Sequence, residues 1–303
     1  MVQCSLLKKL AKILSQARQE PIELSSGIIN QGAGSQTRQL IGHTGKGQLR
    51  FLLKTTCIEK QPMLVAEANN LRQLKQTSTI RVPEVIWCGE ASNEAVLLVE
   101  WLDFQSAGNW QQLAKKITEL HRYPVANDTS QQPAYGWADD NYLGENLQKN
   151  GFKTRWCDFF AEQRIGVQLE QAARNNFVLG SVNLLIDQVR KKLSDHQPDI
   201  SLVHGDFWSG NVGFCHKSPV IYDPACYYGD RETDFAMASL FGGFSPQFFS
   251  CCQQDWPLPA GWENRRVIYN LYHLLNHLNL FGSHWEADVH KALQQLLATT
   301  ESA

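Results

Sequence analysis

Five polar residues stand in apolar surroundings, and their order along the chain suggests one reaction. Asp206 and Asn211 fall in Ser201-Leu-Val-His-Gly-Asp-Phe-Trp-Ser-Gly-Asn211, where an apolar run opens into a polar loop. A carboxylate so placed can accept the proton of an attacking hydroxyl. An amide oxygen five residues later can reach a divalent cation. Taken alone, the segment also reads as a polar turn with local hydrogen bonds. A second apolar run, Pro219-Val-Ile-Tyr, ends in Asp223 and supplies another hard oxygen ligand. Upstream, Lys54 closes the run Arg50-Phe-Leu-Leu and shares a strand face with Leu52, because alternate strand side chains point the same way. Alone, a lysine at a strand end is usually a solvated edge charge. Glu67 is the costliest of the five. On a helix it lies within about 60° of Met63, Leu64, Leu71 and Leu74, and a carboxylate in an apolar stripe is expensive unless it is paired. A pair from strand lysine to helix glutamate can hold the lysine onto nucleotide phosphates.

The elements that must carry these residues follow from pattern. Leu6, Leu10, Ile13, Leu14 and Ala17 recur at helical spacing with Lys8, Lys9 and Lys12 between them, an amphipathic first helix over 1–20. Residues 22–56 read as β structure, punctuated by Gly27, Gly32 and Gly34. Gly45-Lys46-Gly47 makes the turn of a hairpin between 36–44 and 49–55. A helix is expected over 63–75, short β segments between Pro83 and Gly89, and a buried strand over 95–102. Beyond Asp103 the pattern turns helical, over 110–121, 154–173, 182–193, 234–241 and 264–281. Short apolar runs at 200–203 and 219–222 lie between helices. The fold class expected is therefore α+β, two-lobed: an N-terminal helix (1–20), a small β-rich N-lobe (21–102) and a larger, mainly helical C-lobe (103–303). Protein-kinase-like folds share this layout.

The ordered series is more specific than any member of it. Asp206 to Asn211 has the spacing of the kinase catalytic loop H-R-D-x-x-x-x-N, with Gly205 in place of arginine, and Asp223 stands where D-F-G places its metal ligand. Longer words are narrower. His204-Gly-Asp-Phe-Trp-Ser-Gly-Asn211, Asp223-Pro-Ala-Cys-Tyr-Tyr-Gly-Asp-Arg-Glu232, Leu240-Phe-Gly-Gly-Phe244 and Leu271-Tyr-His-Leu-Leu-Asn-His-Leu-Asn-Leu-Phe-Gly282 resemble the fructosamine kinase (ketosamine 3-kinase) family. Asp140-Asn-Tyr-Leu-Gly144 and Leu120-His-Arg122 do so too. That family lies within the aminoglycoside-phosphotransferase and choline-kinase group of folds. The resemblance spans about residues 20–285. It implies ATP-dependent phosphorylation of the 3′-hydroxyl of a ketosamine, a ribulosamine or a fructosamine, free or protein-bound, whose phosphoester then eliminates and frees the amine. It implies ATP and Mg²⁺. Asp206 resembles the base, Asn211 and Asp223 the metal ligands, and Lys54, held by Glu67, the phosphate lysine. Glu100, Trp101 and Leu102 match the hinge that pairs with adenine, and Ser26 and Gly27 the phosphate loop. Trp208, Tyr272 and His273 fall where the acceptor binds. Asp234 is expected to cap its helix and brace the catalytic loop. In one departure, Ser25-Ser26-Gly27-Ile28-Ile29-Asn30 carries Ser26 where the family commonly has glycine, and Ile28 excludes the thiol some relatives place there.

Composition narrows the alternatives. The chain has 303 residues, 28 Lys plus Arg against 30 Asp plus Glu, and 43% hydrophobic residues, so no basic footprint for nucleic acid exists at whole-chain level. No apolar run approaches a membrane span. Eight cysteines contain no C-x-x-C pair, which argues against zinc and redox motifs and for reduced thiols. The first helix lacks the continuous apolar core of a secretory signal, and a cytoplasmic protein is expected. His273 and His277 have an i, i+4 metal spacing but no third ligand. Arg231 and Glu232 read as an ion pair or a brace of the metal loop. Two other readings stay open: a kinase for choline, an aminoglycoside or a thio-sugar, and a nucleotide-binding regulatory pseudokinase.

Overall fold

The computed structural model describes residues 2–31, 35–105, 107–124 and 134–298. Contacts divide the chain into two compact units, Met1–Gln76 with Arg81–Phe104, and Thr77–Ile80 with Gln105–Ala303.

The first unit holds α1 (Val2–Arg18), β1 (Glu23–Gln31), β2 (Gln36–Thr44), β3 (Gly47–Thr56), α2 (Gln61–Thr77), β4 (Val85–Ala91) and β5 (Glu94–Glu100). The strands form one antiparallel sheet in the order β1-β2-β3-β5-β4. Thr44 pairs with Gly47, so Gly45-Lys46 is the two-residue turn. The pleat decides what each face does. Leu40, Phe51, Leu53, Val96 and Leu98 point one way and are buried with Leu6, Leu10 and Leu14 of α1. Each fully buried leucine contributes roughly 1.5–3 kcal/mol, which fixes the amphipathic helix to the sheet. Ile13 is half-buried and Ala17 is exposed, so the apolar stripe of α1 is narrower than its sequence suggests. Lys54 and Leu52 occupy the opposite face. Gly32 and Gly34 lie outside the described residues.

The second unit runs through α3 (Trp110–His121), the hairpin β6 (Asn141–Leu143) and β7 (Asn146–Gln148), α4 (Trp156–Phe159), α5 (Val167–Arg174) and α6 (Val182–Lys192). It continues with β8 (Ser201–Val203), β9 (Val212–Cys215), β10 (Ser218–Ile221), β11 (Tyr227–Gly229), α7 (Glu232–Leu240), α8 (Pro246–Asp255), α9 (Trp262–Phe281) and α10 (Glu286–Ala298). Asn109, Ser181 and Ser245 cap α3, α6 and α8 by accepting a backbone N–H from the first turn. The core joins Trp156, Phe159, Phe160, Tyr269, Leu275 and Leu278 with the underside of β8 and β11. The single helix expected over 154–173 is interrupted by a π-helical stretch, Phe160–Gly166. No helix among the described residues is long and apolar enough to cross a membrane.

Candidate active site

In the first unit, Lys54 lies on the central strand β3, between Thr37 of β2 and Leu97 of β5. Its Nζ donates to Glu67 Oε1 at 2.7 Å, with the two side chains only 8% and 16% exposed. Glu67 is thus paired, which removes the penalty its place on α2 would otherwise carry. Ser26 and Gly27 fall in β1 at an irregularity of register between Ser26 and Ile29. The Ser26 hydroxyl donates to the Gly27 carbonyl. A Cβ on Gly27 would approach Gln39 Oε1 to 3.1 Å, so the glycine keeps that backbone open. At the expected hinge, the Glu100 N–H donates to Glu84 O and the Trp101 N–H to Arg50 O. The Glu100 carboxylate is taken by Arg81. Trp101 Nε1 donates to Asp103 Oδ1, and Asp103 also pairs with Arg50. Side chains at 100 and 101 therefore staple the strand end.

In the second unit, the loop between β8 and β9 holds Asp206 and Asn211, and Asp223 follows β10. The β9–β10 hairpin places both metal-ligand candidates at the same end of one ribbon, with Val212 opposite Ile221. Gly205 has φ +81°, and a Cβ there would meet the Ala225 carbonyl oxygen at 2.0 Å. The loop can follow this path only with glycine before Asp206. Asp234 holds the loop from beneath. Its Oδ2 accepts from the His204 N–H at 2.8 Å and from His121 Nε2 at 2.9 Å, and its Oδ1 accepts from the Gly205 N–H at 3.0 Å. Burial alone would raise this carboxyl, but the bonds from His121 and the His204 amide hold it below its ordinary value. His204 is buried and its pKa is lowered by that burial. Its Nε2–H donates to Tyr222 O and its Nδ1 accepts from the Asp206 N–H, so one neutral imidazole joins the loop to the β10 end.

The Asp206 carboxyl is pushed up to about 7 by its surroundings. Burial raises it, the Asn211 bond opposes, and the charges of Asp223 and Asp234 push further upward. A carboxylate tuned to neutrality is suited to take and release a proton. Asn211 Nδ2 donates to Asp206 O and Oδ2, both at 2.9 Å. Asn211 Oδ1, the other end of that amide, is a hard oxygen acceptor. That oxygen and the exposed carboxylate of Asp223, whose backbone is left-handed (φ 55°), form a hard donor set that fits Mg²⁺.

Trp208, two residues beyond Asp206, is 37% exposed and meets Phe241 edge-on at 6.3 Å. Tyr272 and His273 are buried. The Tyr272 hydroxyl donates to Gln148 Oε1, and burial drives the His273 imidazole down to about 3. His277 Nδ1–H donates to the His273 carbonyl, an intrahelical bond. Asp234 braces the loop as expected but does not cap α7. It lies inside the helix, and Asp230 accepts the Glu232 N–H in the first turn instead. Arg231 and Glu232 do not pair with each other. Arg231 donates to the Trp256 and Pro257 carbonyls, and Glu232 takes both ends of Arg265.

Sequence reasoning missed a buried polar layer behind the Asp223 turn. Asn141 donates to Cys226 O, and Gln148 to Asn141 Oδ1 and Ala225 O. Arg164, fully buried in the π-helical stretch, donates to Lys149 O and Asn150 Oδ1 and lies 4.0 Å over the Tyr227 ring. Polar residues inside otherwise apolar segments were the available signal.

Comparison with known proteins shows the family. A model of the fructosamine kinase family matches residues 6–299. A probable ketoamine kinase of Vibrio parahaemolyticus is 39% identical over 255 residues, 83% of this chain and 86% of the relative. A Haemophilus somnus crystal structure designated a fructosamine-3-kinase superposes with a TM-score of 0.85 at 28% identity, covering 97% of this chain and 98% of that one. A choline kinase from Streptococcus pneumoniae, at 12% identity and a TM-score of 0.59 over 96% of this chain and 99% of that one, shares the fold alone.

Proposed function

The chain belongs to the fructosamine kinase family and is an ATP-dependent phosphotransferase with a protein-kinase-like fold, and from that premise we propose that it phosphorylates the 3′-hydroxyl of ketosamines, free or protein-bound, as the first step of deglycation. The observation that carries the reading is the loop in which Asp206, poised at about 7, is held by Asn211 and backed by Asp234.

Asp206 Oδ accepts the proton of the sugar hydroxyl as its oxygen bonds to the γ-phosphorus. The bond from that phosphorus to the bridging oxygen breaks, and ADP carries the electron pair away. Asn211 and Asp223 would hold Mg²⁺, which would supply neutralisation of phosphate charge there. Lys54, oriented by Glu67, holds nucleotide phosphate oxygens, and Ser26 and Gly27 offer backbone and hydroxyl contacts to the same group. Backbone groups at Glu100, Trp101 and Leu102 receive the adenine. Trp208 stacks on the acceptor sugar. Tyr272 and His273 support that wall from within, the tyrosine by fixing Gln148.

The experiment is a coupled ADP-release assay with Mg²⁺–ATP on a ribulosamine, a fructosamine, choline and an aminoglycoside, with Asp206→Asn as the blank. Turnover confined to the two ketosamines is expected. Turnover on choline or the aminoglycoside instead would replace the acceptor, and ATP binding without turnover on any acceptor would replace the activity.

A further inference from the structure

The turn that carries Asp223 is held from behind by side chains of the β6–β7 hairpin. Gln148 and Asn141 are 1% and 2% exposed. Gln148 Nε2 donates to the Ala225 carbonyl at 3.0 Å and to Asn141 Oδ1 at 2.7 Å, and its Oε1 accepts from the Tyr272 hydroxyl at 2.7 Å. Asn141 Nδ2 donates to the Cys226 carbonyl at 2.8 Å. Its Oδ1 also accepts from Asn150 Nδ2, and Asn150 Oδ1 accepts from Arg164. The direction of every bond is forced. Arg164 can only donate, so Asn150 turns its oxygen to the guanidinium and its amide hydrogens to Asn141. A carbonyl can only accept, so Gln148 and Asn141 turn their amide hydrogens to Ala225 and Cys226. Neither amide can flip without breaking at least two bonds.

The segment so held is short and exacting. Asp223 has a left-handed backbone (φ 55°), a conformation that persists only where the surroundings fix it. Ala225, two residues on, donates its N–H to the carbonyl of His204, two residues before Asp206, at 2.9 Å. Its own carbonyl lies against Gly205, where a Cβ would meet the oxygen at 2.0 Å, and accepts from Gln148. One residue is thus clamped between the catalytic loop and β7. A buried network with every member satisfied rigidifies what it touches. We propose that Gln148 and Asn141 are positioning residues of the phosphotransfer site: by fixing the Ala225 and Cys226 carbonyls they set where the Asp223 carboxylate stands to take the metal ion. The proposal deepens the reading of Asp223 as a metal ligand and rests on it.

The test is the Mn²⁺ affinity of the full chain with ADP bound, read from the EPR signal of the free ion. Mn²⁺ takes the same hard oxygen ligands as Mg²⁺. Partners that orient a metal ligand are worth about 10–100-fold in metal affinity, so Gln148→Met and Asn141→Ser should each weaken Mn²⁺ by roughly tenfold or more. Gln168→Met is the control for lost buried hydrogen bonds. Gln168 is also 2% exposed, and it bonds to Asn276 and Asn279 on α9 rather than to the turn. That variant should lower Tm and keep the wild-type Mn²⁺ affinity. Asp223→Ala separates the two readings. If it binds Mn²⁺ as the wild type does, Asp223 is no metal ligand, and the proposal falls with that reading. If it loses Mn²⁺ while Gln148→Met and Asn141→Ser keep the wild-type affinity, the metal reading stands and the positioning role is overturned. Equal weakening by Gln168→Met would overturn it too. Asn141→Ser removes fewer contacts and decides alone if Gln148→Met does not fold.

Discussion

Replacing Asp206 with asparagine should abolish phosphoryl transfer and, at the same time, make the folded protein more stable at alkaline pH. Burial, opposed by Asn211 and reinforced by Asp223 and Asp234, carries the Asp206 carboxyl from an ordinary 3.8 to about 7. Ionising it in the folded state therefore costs more than ionising it in the unfolded chain. At 1.36 kcal/mol per pKa unit, the ceiling on that cost is about 4 kcal/mol. The side chain keeps partial contact with solvent, and a screened value of about 1–3 kcal/mol is expected. The sign follows from proton binding. The folded carboxyl keeps its proton to higher pH than the unfolded one, so the wild type loses stability as pH rises from about 4 through about 7. The asparagine cannot ionise and still accepts from Asn211 Nδ2. Denaturation of both proteins, without nucleotide or metal, should show the variant ahead at pH 8 by a few degrees in Tm. The gap should narrow steadily toward pH 4. In the active protein, kcat/KM at low Mg²⁺ should fall about tenfold per unit below pH 7. A variant less stable than wild type at pH 8, or a gap independent of pH, would refute the placement of Asp206 as a destabilised, poised base.

Two further outcomes follow from the site. Glu67→Ala strips the nearly buried Lys54 ammonium of its carboxylate partner at 2.7 Å and should cost roughly 3 kcal/mol. The pair Lys54→Met with Glu67→Leu should regain most of that stability by urea titration while leaving turnover abolished, whereas a double variant as unstable as the single one would contradict the pairing. Gly205→Ala, at φ +81° and facing the Ala225 carbonyl, should cost at least about 2 kcal/mol and most of the turnover. Near-normal stability would mean that the loop has another path.

Legibility differed by kind of residue. Lys54 and Glu67 could be paired from sequence because each broke a local pattern in a way the other repaired. The Asp206 loop was readable because the chemistry demands a fixed spacing on one short segment. Asp234 was seen as a brace but misread as a cap, because helix starts are set by the first free N–H groups and Asp230 reaches those first. The partners of Arg231 and Glu232 lie in distant segments, at Trp256, Pro257 and Arg265, which no local spacing reveals. Arg164 escaped notice for a related reason. Its charge is stabilised by the Lys149 carbonyl and the Tyr227 ring face, both distant in sequence, so no local spacing announces it. Helices α8 and α10 were not anticipated, because their polar residues blur the apolar period. The π-helical stretch keeps helical composition while changing the hydrogen-bond step, and composition alone cannot report that.

The carboxylate of Asp234 ties together groups that are remote along the chain: His121, 113 residues earlier, and His204, 30 residues earlier. Such a three-way closure requires large loops to be shut before any of its bonds can form. The unfolded or half-collapsed chain therefore holds no rudimentary catalytic loop, however much helix it has gained. Recovery of catalysis on refolding should lag the return of helical signal, and competence arrives with the last long-range docking event rather than growing in step with secondary structure.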